Sequence, residues 1–134
     1  MARETINPNS MYDSLQYGFS HATRSLGRTN IHCAGQVAWD ENGNLVGAGD
    51  LAKQAQQVFI NLKTVLREAG ATPADVVRMR TYVVNHKPQY LEIITNAASE
   101  FYGQALPAAN TLIGVQSLAL PDFLIEIEAT AIIA

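Results

Sequence analysis

A chain of 134 residues, 48% hydrophobic and 16% charged, has the size of one domain built on one core, residues 1–134, and lies far from the low-hydropathy, high-charge compositions that stay disordered. Its formal net charge of −3, with nine Lys and Arg spread along the chain, offers no basic stripe for phosphates and argues against a nucleic-acid partner. The single cysteine, Cys33, excludes an intrachain disulfide and a cysteine-built metal cluster, in keeping with a reducing compartment.

The opening MARETINPNSMYD carries charges and turn formers where a signal peptide would carry an apolar stretch, and no window reaches the 18 apolar residues of a membrane span. A soluble, cytoplasmic protein is expected. Next, SHATRSLGRTNIHCAGQVAW reads as a hairpin turning near Leu26 to Thr29, and DENGNL supplies Asn-Gly turn chemistry at Asn42 and Gly43. In DLAKQAQQVFINLKTVLREAG, Leu51, Ala55, Val58, Phe59, Leu62, Val65, Leu66 and Ala69 fall at the spacing of one helix face. Asp50 caps that helix, Lys53, Lys63 and Arg67 lie on or beside its wet side, and Gly70 stops it. VVRMRTYVVN, 76–85, alternates Val77, Met79, Thr81 and Val83 against Arg78, Arg80 and Tyr82, the pattern of a strand wet on one face. A second helix is expected from Pro88 through Leu91, Ile94, Ala98, Phe101 and Tyr102 to Gly103. TLIGVQSL and LIEIEATAII then close the chain as two strands.

This order predicts an α+β fold: a single six-stranded mixed sheet with two helices on one face, both crossovers being long enough to join parallel neighbours in a right-handed sense. Two helices cover one face only, while the strands look apolar on both. The second face is therefore expected to bury against another copy of the chain, with ligand sites in the clefts between subunits.

Few residues suggest chemistry. Glu126 and Glu128 share one face of the last strand, because side chains two apart point the same way. Either both are edge charges that discourage sheet aggregation, or Glu126 lines a cleft and holds a water or shuttles a proton. His21, His32 and His86 match no metal-ligand spacing. His21, beside Ser20, Phe19 and Tyr17, reads first as a polar residue at a strand start. Cys33 lacks a partner that would make it a nucleophile and reads as a small buried hydrophobe. AGQ at Ala34 to Gln36 and GAGD at Gly47 to Asp50 have neither GxGxxG nor Walker spacing, so no dinucleotide or phosphate loop is supported, although the backbone after Gly35 offers N–H groups to a small anion.

Taken together, FSHA, IHCAGQVAWDENGN, GDLAKQAQQVFINLKTVLREAGA, DVVRMRTYVVN and PAANTLIGVQSLALPDFLIEIEA resemble the RidA/YjgF family in order and over nearly the whole length. The resemblance implies a chorismate-mutase-like fold, a homotrimer around a central barrel, and ligand clefts at the subunit interfaces. It further implies cofactor-free hydrolysis of enamines and imines, such as 2-aminoacrylate and 2-iminopropanoate, to 2-keto acids and ammonia. Carried over by position, the water-orienting glutamate is Glu126, the glycine of the SGQ-like turn is Gly35, its glutamine is Gln36, and an N-terminal tyrosine corresponds to Phe19 or Tyr17. The arginine that grips the substrate carboxylate falls on Asn110, the turn serine on Ala34, and the cysteine or threonine two after the arginine on Leu112.

Asn110 donates two hydrogen bonds but has no charge and no rigid fork, so a carboxylate held by it loses roughly 1.5–3 kcal/mol of charge-assisted bonding. Arg24, Arg78 or Arg80 would have to reach the cleft to compensate. The sequence thus points first to a homotrimer with an interface pocket around Glu126, Asn110, Gly35 and Phe19, made more apolar by Leu112, Phe19 and Ala34, hydrolysing or binding a small molecule other than the usual 2-imino acid. Enamine/imine deamination and a non-catalytic ligand-binding trimer are the alternatives. RNA cleavage, an older association of the family, suits an acidic chain least. No metal, no cofactor and no membrane partner are expected.

Overall fold

The computed structural model describes residues 3–134. Strands β1 (Arg3–Ile6), β2 (Ala22–Ser25) and β3 (Thr29–Gln36) precede helix α1 (Leu51–Glu68), and β4 (Val76–Val84), helix α2 (Tyr90–Tyr102), β5 (Ala109–Val115) and β6 (Ile125–Ile133) follow. β3, β6, β4 and β5 form one mixed sheet in that order; β6 is antiparallel to both its neighbours, and β4 and β5 run parallel. The last strand is thus inserted between the two that α1 connects, and α2 makes the crossover between adjacent parallel strands.

The expected single six-stranded sheet is instead two sheets, because β1 and β2 pair only with each other. From Arg78 to Val83 both edges of β4 are occupied, by β5 and by β6. The β1–β2 pair therefore reaches only the start of β4, and does so with side chains. The Thr23 hydroxyl donates to the Val77 carbonyl, and the buried Arg3 guanidinium donates to Val76 and Leu106 carbonyls at 2.7 Å each. The expected hairpin does not form. The chain does turn between Ser25 and Thr29, but β2 joins β1 while β3 joins β6.

Helix α1 forms as its pattern demands. Asp50 accepts a hydrogen bond from Lys53 N at 3.1 Å, and Gly70 adopts φ +82° at the C-terminal end. Val58, Leu62 and Leu66 are completely buried against Ile125, Ile127, Val76 and Val83 of the sheet. Val65 and Ala69, expected on this face, lie at its edge and stay exposed. Helix α2 begins at Tyr90, with Pro88 in the turn before it, and packs Phe101 on Phe59 of α1 at 4.9 Å between ring centroids. No helix among the described residues is long and apolar enough to cross a membrane.

Both helices cover the sheet face that carries Met79, Thr81, Ile125 and Ile127. The other face presents Arg78, Arg80, Tyr82, Thr111, Glu126 and Glu128 together with Ile113 and Ile132, more polar than the weak alternation of β5 and β6 suggested. No other described element packs on it.

Candidate functional site

The residues singled out in the sequence fall, within one chain, into two groups on opposite faces of the four-stranded sheet. Tyr17, Phe19, Asn110 and Leu112 line a cavity of about 250 Å³ between β4, β5 and α2. Ala34, Gly35, Gln36 and Glu126 lie together where β3 meets β6.

The first group depends on how the segment before β2 is stitched to the start of β5. Ser20 N donates to the Ala108 carbonyl at 3.0 Å and the Ser20 hydroxyl to the Pro107 carbonyl at 2.5 Å, which sets Phe19 beside the first residues of β5. Asn7 gathers the same segment. Its Oδ1 accepts from His21 N at 2.9 Å and from the Ser14 hydroxyl at 3.2 Å, and its Nδ2 donates to Ser20 Oγ at 3.2 Å. Tyr12 packs edge-on against Tyr17, Phe19 and His21, and His21 Nε2 donates to the Tyr12 carbonyl at 2.8 Å, so His21 serves this segment's own structure. Across the cavity floor, the buried Thr81 hydroxyl donates to Asn110 Oδ1 at 3.1 Å.

The arginines needed to compensate for Asn110 are engaged elsewhere. Arg78 donates to Thr111 Oγ1 at 2.8 Å and Arg80 lies 3.9 Å from Glu128, both on the opposite sheet face, while Arg24 pairs with exposed Glu4 at 2.8 Å. Among the described residues no cationic side chain of the same chain lines the Asn110 cavity.

The second group is organised by an irregularity in the β3–β6 ladder between Cys33 and Gln36, the bulge expected where a strand re-aims its backbone. Gln36 Nε2 closes it by donating to the Ala34 carbonyl at 3.2 Å. Gly35 lies flat against Glu126: a Cβ added there would stand 2.0 Å from Oε2, 2.7 Å from Cδ and 2.9 Å from Cγ of the glutamate. Glycine is required by that close approach and not by backbone conformation, since its φ lies outside the left-handed region.

Glu126 and Glu128 point to the same face, and their surroundings differ. Tyr82 Oη donates to Glu128 Oε1 at 2.5 Å and Arg80 stands 3.9 Å away, so Glu128 has partners within the chain. Glu126 has no hydrogen-bond partner among the described residues and is half-buried; burial, and then the charge of Glu128, push its carboxyl above the usual carboxylate range.

Cys33 is buried and its thiol is pushed up by that burial, as suits a small core residue. Among the described residues no three His, Cys, Asp or Glu side chains are grouped where they could hold a metal ion. Two positioning residues escaped the sequence reading. Gln54 is completely buried: its Nε2 donates to the Gly47 and Asp122 carbonyls at 3.1 and 3.0 Å, and its Oε1 accepts from Leu124 N at 2.9 Å. It thereby fixes the entry to β6 two residues before Glu126. Its place between Leu51 and Val58 on the apolar face was the available signal. Thr81 was assigned to the apolar side of its strand, but its bond to Asn110 needed the register of β4 on β5.

Residues 13–133 match the family described as endoribonuclease L-PSP. A RutC family protein of Pyrococcus abyssi is 36% identical over 104 residues, covering 75% of this chain and 76% of that protein. A 2-iminobutanoate/2-iminopropanoate deaminase of Dermatophagoides farinae is 29% identical over 103 residues, 77% of each. Among solved structures, YyfB of Yersinia pestis, a Rid-family protein of unknown function, is similar with a TM-score of 0.97 and 61% identity over 99% of this chain and all of that one.

Proposed function

The chain belongs to the endoribonuclease L-PSP family, within the RidA/YjgF group, and on that premise we propose that it is a homotrimer with a small-molecule site at each subunit interface, hydrolysing an enamine or imine other than the usual 2-imino acid. The observation that carries this reading is the state of Glu126. A half-buried carboxylate without a partner, held against the backbone of Gly35, is a base kept ready for a water or a substrate proton.

The Asn110 cavity lies across the sheet from that base, so one chain alone does not bring binding and chemistry together. A second copy docked on the uncovered sheet face supplies the missing half of each site. In the composite site the Asn110 cavity takes the body of the substrate and Glu126 of a neighbouring copy faces its C=N carbon. Water adds to that carbon as Glu126 takes its proton, and the nitrogen leaves as ammonia once protonated, giving the carbonyl compound. Water and a carboxylate suffice, so the reaction requires no cofactor. The acidic chain gives nucleic acid no purchase, and cytoplasmic residence fits this chemistry.

The deaminase relative favours a second reading, deamination of 2-iminopropanoate itself. Asn110 and the uncharged cavity weigh against it. Sedimentation of the complete chain, with ammonia release from 2-iminopropanoate and from neutral imines generated in situ, separates these readings. The expected result is a trimer that accelerates neutral imine hydrolysis, and a Glu126→Gln variant that stays trimeric but loses roughly a hundredfold in rate. Loss of ligand affinity alone in that variant would indicate a non-catalytic binding trimer, and a monomer at micromolar concentration would remove the interface site.

A further inference from the structure

Deepening the small-molecule reading above, we propose that the Asn110 cavity selects by charge: it takes a neutral carbonyl or amide group on a short branched alkyl body, and it rejects carboxylates. The selection rests on the orientation of the Asn110 amide. Thr81 Oγ1 donates to Asn110 Oδ1 at 3.1 Å, and Thr81 is itself almost completely buried, so the amide is held with its oxygen toward the sheet. Both N–H groups of Nδ2 remain without a protein partner among the described residues. They face a cavity that Asn110 lines. Asn110 is thereby a fixed neutral donor, whose two N–H bonds diverge by about 120°, so that one of them serves a single acceptor oxygen.

The walls determine which acceptor is tolerated. Phe19, Met79, Ile94 and Leu112 present hydrocarbon, thioether and aromatic surface, and no Lys, Arg or His lines the space. A carboxylate entering it would surrender its hydration for neutral hydrogen bonding with no counter-charge from the same chain, and would face the Glu126 carboxylate that the neighbouring copy brings to the composite site, which is the costly way to bury an ion. A ketone, amide or neutral imine gives up little water and satisfies the same donor. At about 250 Å³ the cavity suits a group smaller than the ligands of typical pockets. Thr81 is a positioning residue in this scheme, acting through the amide it orients.

Isobutyramide and isobutyrate share one carbon skeleton and differ in charge at pH 7, so they test the proposal directly. Each is titrated into the complete chain, and the methyl NMR signals of Met79, Ile94 and Leu112 report occupancy. The expected result is saturable shifts of all three with isobutyramide, and binding of isobutyrate at least about tenfold weaker. Asn110→Arg should invert that order, and Thr81→Val, which releases the amide, should weaken isobutyramide severalfold. Isobutyrate binding as tightly as the amide in the wild type, or isobutyramide leaving these methyls unmoved, overturns the proposal whether or not the variants fold. Binding is read without turnover. A chain that binds isobutyramide but hydrolyses no imine refutes the catalytic reading and leaves this one standing, and a chain that hydrolyses imines but prefers isobutyrate does the reverse.

Discussion

Replacing Gly35 with alanine separates the stability of the β3–β6 junction from the position of Glu126. The new methyl would stand 2.0 Å from Glu126 Oε2, so the carboxylate must retreat by about 1.4 Å to reach an ordinary contact of 3.4 Å. What it displaces is the far end of a flexible side chain and not backbone, and Gly35 has no left-handed φ that alanine would resist. The expected cost is a rotamer adjustment of about 0.5–1.5 kcal/mol, or a melting temperature lower by no more than about 6 °C. Function should suffer far more, because a misplacement of about 1 Å at a reacting group costs on the order of a hundredfold in rate. The assay pairs a thermal melt with initial rates of neutral imine hydrolysis on the same preparation, and sedimentation confirms the assembly. A Gly35→Ala variant with undiminished rate would refute the role given to the Gly35–Glu126 contact; a collapse in melting temperature matching the loss of rate would show that Gly35 serves the fold and not the carboxylate.

Two further outcomes are expected. Gln54→Leu leaves Leu124 N–H and the Gly47 and Asp122 carbonyls without their buried partner, so urea unfolding should show a loss of about 2–4 kcal/mol at unchanged m-value; a loss below about 1 kcal/mol would mean that water or a local shift replaces all three bonds. The raised carboxyl pKa of Glu126 makes the native chain bind more protons than the unfolded one between the unfolded value, near pH 4.3, and the higher folded value, so native stability should fall as pH rises through that window and remain lowered above it. Glu126→Gln should remove that component of the slope, and ¹³C titration of the Glu126 carboxyl should give a midpoint that drops when Glu128 becomes Gln. A midpoint at or below the ordinary glutamate value would remove the physical basis for Glu126 as a poised base.

Wherever a local period carried the information, it was legible in the sequence. Asp50, the i, i+3, i+4 spacing from Leu51 to Leu66, and Gly70 determine α1 without reference to anything outside the segment, because capping and amphipathicity act within a few turns. The alternation of Ile125, Glu126, Ile127 and Glu128 likewise assigns each residue to a face of β6 before its neighbours are known, since successive strand side chains point oppositely. Tertiary structure decided what depends on partners distant in sequence. β1 and β2 pair with each other and stand apart from the main sheet, although β3 and β5 lie at its outer edges, and no local pattern encodes which strands pair. The chemical meaning of Asn110 was decided in the same way: its side chain is polar by sequence, and it becomes an oriented donor only because the β4–β5 register sets the Thr81 hydroxyl on its oxygen. Composition and period fix which residues seek the core and which seek water; pairing, which involves residues 29 and 46 positions apart in the Thr81–Asn110 and Tyr82–Glu128 hydrogen bonds, fixes which polar groups are satisfied and which, like the Glu126 carboxylate, have no partner among the described residues.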